Sequence, residues 1–263
     1  MQKLEFCKSL NKMKFNRIRE IEEYILEHET VTLDRLCDIF KVSLNTIRRD
    51  TKLLTDKGSI VKIYGGVTAA NNGKSLLSFF EERIEKNTSA KERIGLAAAG
   101  FVSDGDVIFI DSGTTTYQML EHLKDRANVT VITNNLPALG LLLYMQNINV
   151  IAVGGPLIRK TSSFAGMESS IQHYNIMKCF MAATGISIAN GLTNSTMAEF
   201  EIKKSVIQKS DRVYLLADTS KFDKSSLMTY CQLSDVHCVI TDNTPPEKYI
   251  EYLKRNNVEL IHA

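Results

Sequence analysis

Asn45, Arg48, Arg49 and Lys52 fall within an arc of about 100° if their segment is helical, while Ile47, Thr51 and Leu54 cluster on the other side. Such a face suits nucleic acid. An Arg guanidinium can pair with guanine O6/N7 and an Asn amide with adenine N6/N7, whereas Lys52 and backbone N–H groups near Ser43 would hold phosphates and set register. A second group of residues has different chemistry: Asp111-Ser112-Gly113-Thr114-Thr115-Thr116 follows an apolar run and opens a helical pattern. Hydroxyls, free backbone N–H groups and a helix N-terminus make a phosphate cradle there, although plain helix capping would use the same residues.

The elements that must hold the first group are legible around it. Ile18, Ile21, Ile25 and Leu26 predict an amphipathic helix over about 17–28. Thr32 can cap a second helix with Leu33, Leu36, Cys37 and Phe40 on its buried face, and Val42 is the apolar plug of the turn that follows. Ser43 caps the third helix, about 44–56, with Thr46 in its first turn. Gly58 stops that helix, and Ser59 to Val67 read as a tight hairpin, a wing carrying Lys62 and Tyr64. The candidate DNA contacts are therefore Ser43, Asn45, Thr46, Arg48, Arg49, Lys52, Lys62 and Tyr64.

The second group belongs to a longer region in which short apolar runs alternate with helical patterns, the sign of βαβ units and a mostly parallel sheet. The runs are Val107–Ile110, Val129–Ile132, Val150–Val153, Phe180–Ala183, Val213–Leu216 and Cys238–Ile240. Ligands in such sheets bind beyond the carboxyl ends of the strands. That rule selects Asn134, then Gly154 and Gly155 with Arg159 and Lys160 behind them, and Lys221 in Ala217-Asp218-Thr219-Ser220-Lys221-Phe222. Polar Ala69 to Ser75 marks a boundary. The expected organisation is an N-terminal extension over 1–13, a winged helix-turn-helix over 14–68, a hinge over 69–92, and an α/β effector-binding and oligomerisation domain over 93–263.

Charge is distributed to match. The chain carries 32 Lys/Arg and 30 Asp/Glu, but residues 41–62 hold six basic groups against Asp50 and Asp56. A basic module beside a near-neutral body is the layout of a DNA reader attached to a sensor. No long apolar run and no secretory pattern occur, so a cytoplasmic protein with no membrane partner is expected. The five cysteines, Cys7, Cys37, Cys179, Cys231 and Cys238, form no C-x-x-C pair, and reduced thiols without metal or cofactor are expected.

Val42-Ser43-x-x-Thr46-Ile47-Arg48-Arg49-Asp50, followed by Lys57-Gly58 and Tyr64-Gly65-Gly66-Val67, resembles the helix-turn-helix signature of the DeoR family of bacterial repressors. Downstream, Ile108 to Thr116, Val131-Ile132-Thr133-Asn134, Gly154-Gly155, Gly191-Leu192-Thr193, Leu216 to Phe222 and Val239-Ile240-Thr241-Asp242 resemble the effector domain of that family. The resemblance implies a fold of the ribose-5-phosphate isomerase and glucosamine-6-phosphate deaminase type, an operator-bound repressor and a phosphorylated sugar or sugar-acid effector. Asp111, Ser112, Gly113, Thr114, Thr115, Thr116, Asn134, Gly154, Gly155, Arg159, Lys160, Glu199 and Lys221 are its candidate effector residues.

Three positions depart from the family pattern: Thr51 stands where an apolar residue is usual, Tyr64 where His is common, and Met177 where Asp is common. Within the family, Glu22 to Leu26, Lys62 to Thr68, Arg159 to Met167 and Gly191 to Ser195 are most similar to repressors of myo-inositol catabolism. Their implied inducer is a phosphorylated 2-deoxy-5-keto-gluconate.

Two rival readings use the same parts. In one, Asp111, Glu199, Glu201 and Lys221 move protons on a sugar phosphate, making an isomerase-type enzyme with a DNA-binding arm. In the other the chain activates transcription. A single small module contacts few base pairs, so a homodimer or homotetramer is expected.

Overall fold

The structure, a computed structural model, describes residues 17–26, 28, 30–63, 65–69, 78–166 and 170–263. The chain divides into two compact units, Met1–Lys74 and Ser75–Ala263. The expected extension over 1–13 and most of the polar boundary segment lie outside the described residues.

In the first unit, residues 17–26 are helical (α1), followed by β1 (Thr30–Thr32), α2 (Leu33–Phe40), α3 (Leu44–Asp56), β2 (Ile60–Ile63) and β3 (Gly66–Ala69). The caps are those the hydroxyls predict: the Arg35 N–H donates to Thr32 Oγ1 at 3.2 Å and the Thr46 N–H to Ser43 Oγ at 3.3 Å. Lys41, in the left-handed conformation, turns the chain between α2 and α3. Ile21, Ile25, Val31, Leu36, Ile47, Leu54, Ile60 and Val67 form one core, with Val42 partly buried against it. Leu26, expected in that core, is half exposed, because only the Ile21/Ile25 stripe faces α2 and α3. β2 and β3 pair antiparallel from Ile60↔Ala69 to Ile63↔Gly66, and β1 adds a third strand on β3.

The second unit opens with α4 (Ser78–Glu85) and α5 (Thr88–Ala99). The 69–92 segment is therefore not all hinge. Phe80 is buried with its ring edge-on to Tyr117, which anchors α4 to the body of this unit. There follow β4 (Val107–Ile110), α6 (Thr114–Tyr117), β5 (Val129–Thr133), α7 (Leu136–Leu142), β6 (Ile148–Ala152), the short β7 (Leu157–Ile158) and β8 (Ser163–Phe164), and β9 (Ile176–Met181). The rest is β10 (Gly185–Ser187), β11 (Gly191–Asn194), α8 (Met197–Gln208), β12 (Ser210–Leu216), β13 (Met228–Cys231), β14 (Cys238–Thr241), α9 (Glu247–Arg255) and β15 (Glu259–His262).

Seven strands form one sheet in the order β15-β14-β12-β9-β4-β5-β6, and every pair is parallel. Its inner strands carry apolar runs, such as Val107–Ile110 and Val213–Leu216, because cores lie on both faces. From β4 the chain steps outward to β5 and β6, then returns to β9 and steps the other way. The order thus reverses between β4 and β9, where the loops beyond the strand ends diverge and leave a crevice.

Candidate functional site

On α3 the two faces separate as the spacing predicts. Ile47, Thr51 and Leu54 are buried, whereas Asn45, Arg48, Arg49 and Lys52 are exposed. Among the described residues no hydrogen bond or ion pair occupies those four side chains, so they stand ready for an external partner. Ser43 and Thr46 serve the helix start, with their hydroxyls 2.9 Å apart. Lys62 is exposed on β2, and Tyr64 lies outside the described residues.

Thr51 costs its core little. Its hydroxyl donates to the Ile47 carbonyl at 2.8 Å, so the buried oxygen is satisfied inside the helix. Asp50 had counted only as a surface charge in the sequence, yet it is buried and accepts from Arg17 Nε at 2.9 Å. This pair ties α1 to the helix that carries Arg48 and Arg49. Its sequence signal is the i, i+3 spacing from Ile47, on the buried face.

In the second unit the structure gathers part of the expected effector set. Ser112, Gly113, Thr114 and Thr115 line a cavity of about 160 Å³ at the carboxyl ends of β4, β9 and β12. Ala182, Ala183 and Thr184 follow β9 on the same wall, Asp218, Ser220 and Lys221 follow β12, and Glu199 and Lys203 come from α8. Arg83, Lys86, Asn87 and Lys91 close it from α4, the start of α5 and the turn between them. Gly113 fits because a Cβ there would collide with the Ala182 Cβ, so the two rim loops touch backbone to side chain.

Several expected ligand groups have other duties. Thr116 is fully buried and donates to the carbonyls of Asp111 (2.7 Å) and Gly113 (2.9 Å), closing the turn instead of offering a hydroxyl. Asp111 is buried beneath the cavity, where its Oδ2 accepts from the Ala182 N–H at 2.9 Å and from Lys203 Nζ. Lys203 also donates to the Ala182 carbonyl at 2.8 Å, so one buried ion pair fastens the end of β4 to the end of β9. Glu199 accepts from Thr196 Oγ1 at 2.9 Å while its N–H donates back to that hydroxyl, a side-chain N-cap at the start of α8.

The rim loops beyond β5 and β6 do not join the cavity wall. Asn134 donates to the Phe164 carbonyl at 2.8 Å. Gly154 is exposed, and Gly155, with φ 147°, is required by the close approach of the Ala165 carbonyl rather than by a ligand. Arg159 and Lys160 are exposed on a short 3-10 turn that packs against α4, and neither lines the cavity. These loops lie on the outer side of β4, whereas the crevice opens on the β9 side. Met177 sits at the amino end of β9, partly exposed and opposite the rim, so its replacement of Asp removes no group from the cavity. Of the four groups in the enzyme reading, Glu199 and Lys221 line the cavity, Glu201 is exposed and off the wall, and Asp111 is paired with Lys203 beneath it.

The cavity is basic: Arg83, Lys86, Lys91, Lys203 and Lys221 face Glu199 and Asp218. Burial pushes the Lys91 ammonium down to about 8, with neighbouring Asp218 opposing and Lys221, Arg83 and Lys86 adding to the fall. Lys221 and Arg83 are lowered too, by burial first. Crowded, desolvated cations of this kind gain from an anion. Burial pushes the Cys179, Cys231 and Cys238 thiols up to about 12, which leaves them unreactive.

Residues 17–72 match the DeoR-like helix-turn-helix domain, and residues 86–243 match the DeoR C terminal sensor domain. The chain belongs to the DeoR family. This DeoR-family protein is 46% identical over 248 residues to the HTH-type transcriptional regulator IolR of Bacillus subtilis (strain 168), covering 94% of this chain and 98% of that one. It is 28% identical over 247 residues to the HTH-type transcriptional repressor GlcR of the same organism, covering 93% and 95%. Among solved structures, ribose 5-phosphate isomerase A from Methanocaldococcus jannaschii aligns at 19% identity and TM-score 0.40, covering 52% of this chain and 55% of that one. So distant a likeness says nothing of ligand or chemistry. The DeoR-family chain is a DNA-binding transcriptional regulator and not an enzyme, and among its described residues no helix is long and apolar enough to cross a membrane.

Proposed function

We propose that the chain is a cytoplasmic repressor of a sugar or inositol catabolic operon, bound to its operator as a homodimer or homotetramer and released by a phosphorylated sugar acid. The observation that carries the effector class is the cation-rich cavity: Lys91, Lys221 and Arg83, each lowered by burial, beside the hydroxyl-rich turn Ser112 to Thr115. A phosphate dianion seated there relieves their crowding, and backbone N–H groups of the turn complete its shell. The segments resembling inositol-pathway repressors favour phosphorylated 2-deoxy-5-keto-gluconate among such ligands. Release requires that the ligand bind the DNA-incompetent arrangement more tightly, since equal affinity for both shifts nothing.

Titration calorimetry with phosphorylated and dephosphorylated sugar acids, paired with operator release, tests this. Only the phosphorylated form should bind tightly, and operator should weaken it by the factor by which it weakens operator. Lys221→Ala and Thr115→Ala should stay on operator when inducer is added. Equal binding of the two ligand forms, or normal release of both variants, refutes the assignment.

A further inference from the structure

Residues 127–158 contain no Asp, Glu, Lys, Arg or His, in a chain that is 24% charged. This run, bounded by Arg126 and Arg159, supplies β5, α7, β6 and β7. β6 is the outermost strand of the large sheet. The Val153 N–H donates inward to the Thr133 carbonyl at 2.8 Å, so strand alternation aims the N–H and C=O of Val150 and Ala152 outward, to the open side. Exposed strand edges are normally guarded by charge, by Pro or by brevity. β6 has five residues and none of these guards.

Large apolar groups flank that edge. Leu143 and Tyr144, just before β6, are 76% and 83% exposed, Val150 within it is 39% exposed and Leu157 beyond it 42%. Asn147 donates to the carbonyls of Lys124 and Arg126, which fixes the turn leading into the strand. The opposite edge of the sheet is built differently: β15 carries Glu259 and His262, and Arg93 donates to the Ala263 carbonyl at 3.1 Å.

We propose that the uncharged β6 edge pairs with the same edge of a second copy of this chain, β6 antiparallel to β6 across a two-fold axis. In such an isologous contact residues near the axis meet their own images, so any charge there repels itself. The β6 run brings no charge of its own to the axis, which satisfies that condition. Pairing satisfies the outward N–H and C=O groups of Val150 and Ala152 and covers Tyr144 and Leu143. It rests on the reading that the regulator acts as a homo-oligomer, and it adds the surface.

Sedimentation velocity on the full chain at micromolar concentration is the test, with Tyr144→Lys, the Tyr144→Lys/Val150→Lys double variant, and Glu259→Lys as the control on the other edge. The parent should be a dimer or larger. Like charges facing across the axis at Val150→Lys, together with loss of the apolar Tyr144 ring, should weaken association in the double variant on the order of tenfold or more, giving a half-sized species with an unchanged circular dichroism spectrum. Glu259→Lys should sediment as the parent. An oligomeric parent with an equally oligomeric double variant overturns this face while leaving the oligomer reading intact. A monomeric parent overturns both. Should the double variant misfold, the exposed Tyr144→Lys alone decides.

Discussion

Replacing Lys203 by Met removes one half of the buried ion pair that joins the ends of β4 and β9. The side chains of Lys203 and Asp111 are 5% and 1% exposed, and Asp111 Oδ1 already lacks a hydrogen-bond partner. The change leaves a carboxylate inside the protein with the Ala182 N–H as its remaining donor among the described residues. Breaking a buried pair in this way costs about 3–5 kcal/mol, because the surviving charge is desolvated and uncompensated. For a unit of this size each kcal/mol lowers the melting temperature by about 2–4 °C, so a fall on the order of 6–20 °C is expected. Differential scanning calorimetry on the full chain, with Asp111→Asn and the double variant, completes a thermodynamic cycle. Removing both charges should cost less than the two single losses together, since neither ion is then stranded. Phosphosugar affinity should fall in the Lys203 variant as well, because Ser112 to Thr115 and Ala182 to Thr184 stand on the strands the pair connects. A Lys203→Met protein within about 1 kcal/mol of the parent, or strictly additive losses, would refute the reasoning.

Two further outcomes follow from the same geometry. Arg48→Ala or Asn45→Ala should each cost about 1–3 kcal/mol at the operator and relax base preference, whereas Lys52→Ala should weaken operator and scrambled duplex alike and flatten the salt dependence; fluorescence anisotropy at fixed salt separates the two patterns. Phosphosugar affinity should be full while Lys91 is protonated and decline as pH rises through about 8, and calorimetry in buffers of different ionisation heat should register proton uptake on binding near that pH. The stability sign is opposite: from about 8 to the unperturbed 10.5 the unfolded chain holds a proton that the ligand-free folded chain does not, so folding becomes more favourable as pH rises across that window. Affinity that is flat from pH 7 to 10 would remove Lys91 from the anion site.

The parts of the fold that could be read from the residues are those fixed by short-range patterns. Caps at Thr32 and Ser43, the hairpin turn before Gly66, and six of the seven parallel strands announce themselves because hydroxyls, glycines and unbroken apolar runs have local causes. β15 went unread because, at a sheet edge, Glu-Leu-Ile-His has neither a continuous apolar run nor clear alternation. The cavity was half legible for a related reason. The rule that ligands bind beyond strand ends selects every rim loop equally, and only the strand order shows that a crevice opens between β4 and β9, with Ser112 to Thr115 and Lys221 on its wall and Asn134, Gly154, Gly155, Arg159 and Lys160 off it.

Three of the residues that pattern reading missed share one trait: each is a charge at a helical position where periodicity calls for an apolar group. Asp50 lies three residues from Ile47, Lys91 three from Ile94 and seven from Ala98, and Lys203 three from Val206, all on buried faces. Burying a charge is costly unless a partner stands opposite. For Asp50 that partner is Arg17, and for Lys203 it is Asp111. Lys91 donates to the Arg83 carbonyl, but the charges around it are mostly positive. Its position is tolerated by a lowered proton affinity rather than by a counter-ion, which leaves the missing negative charge for a ligand to supply.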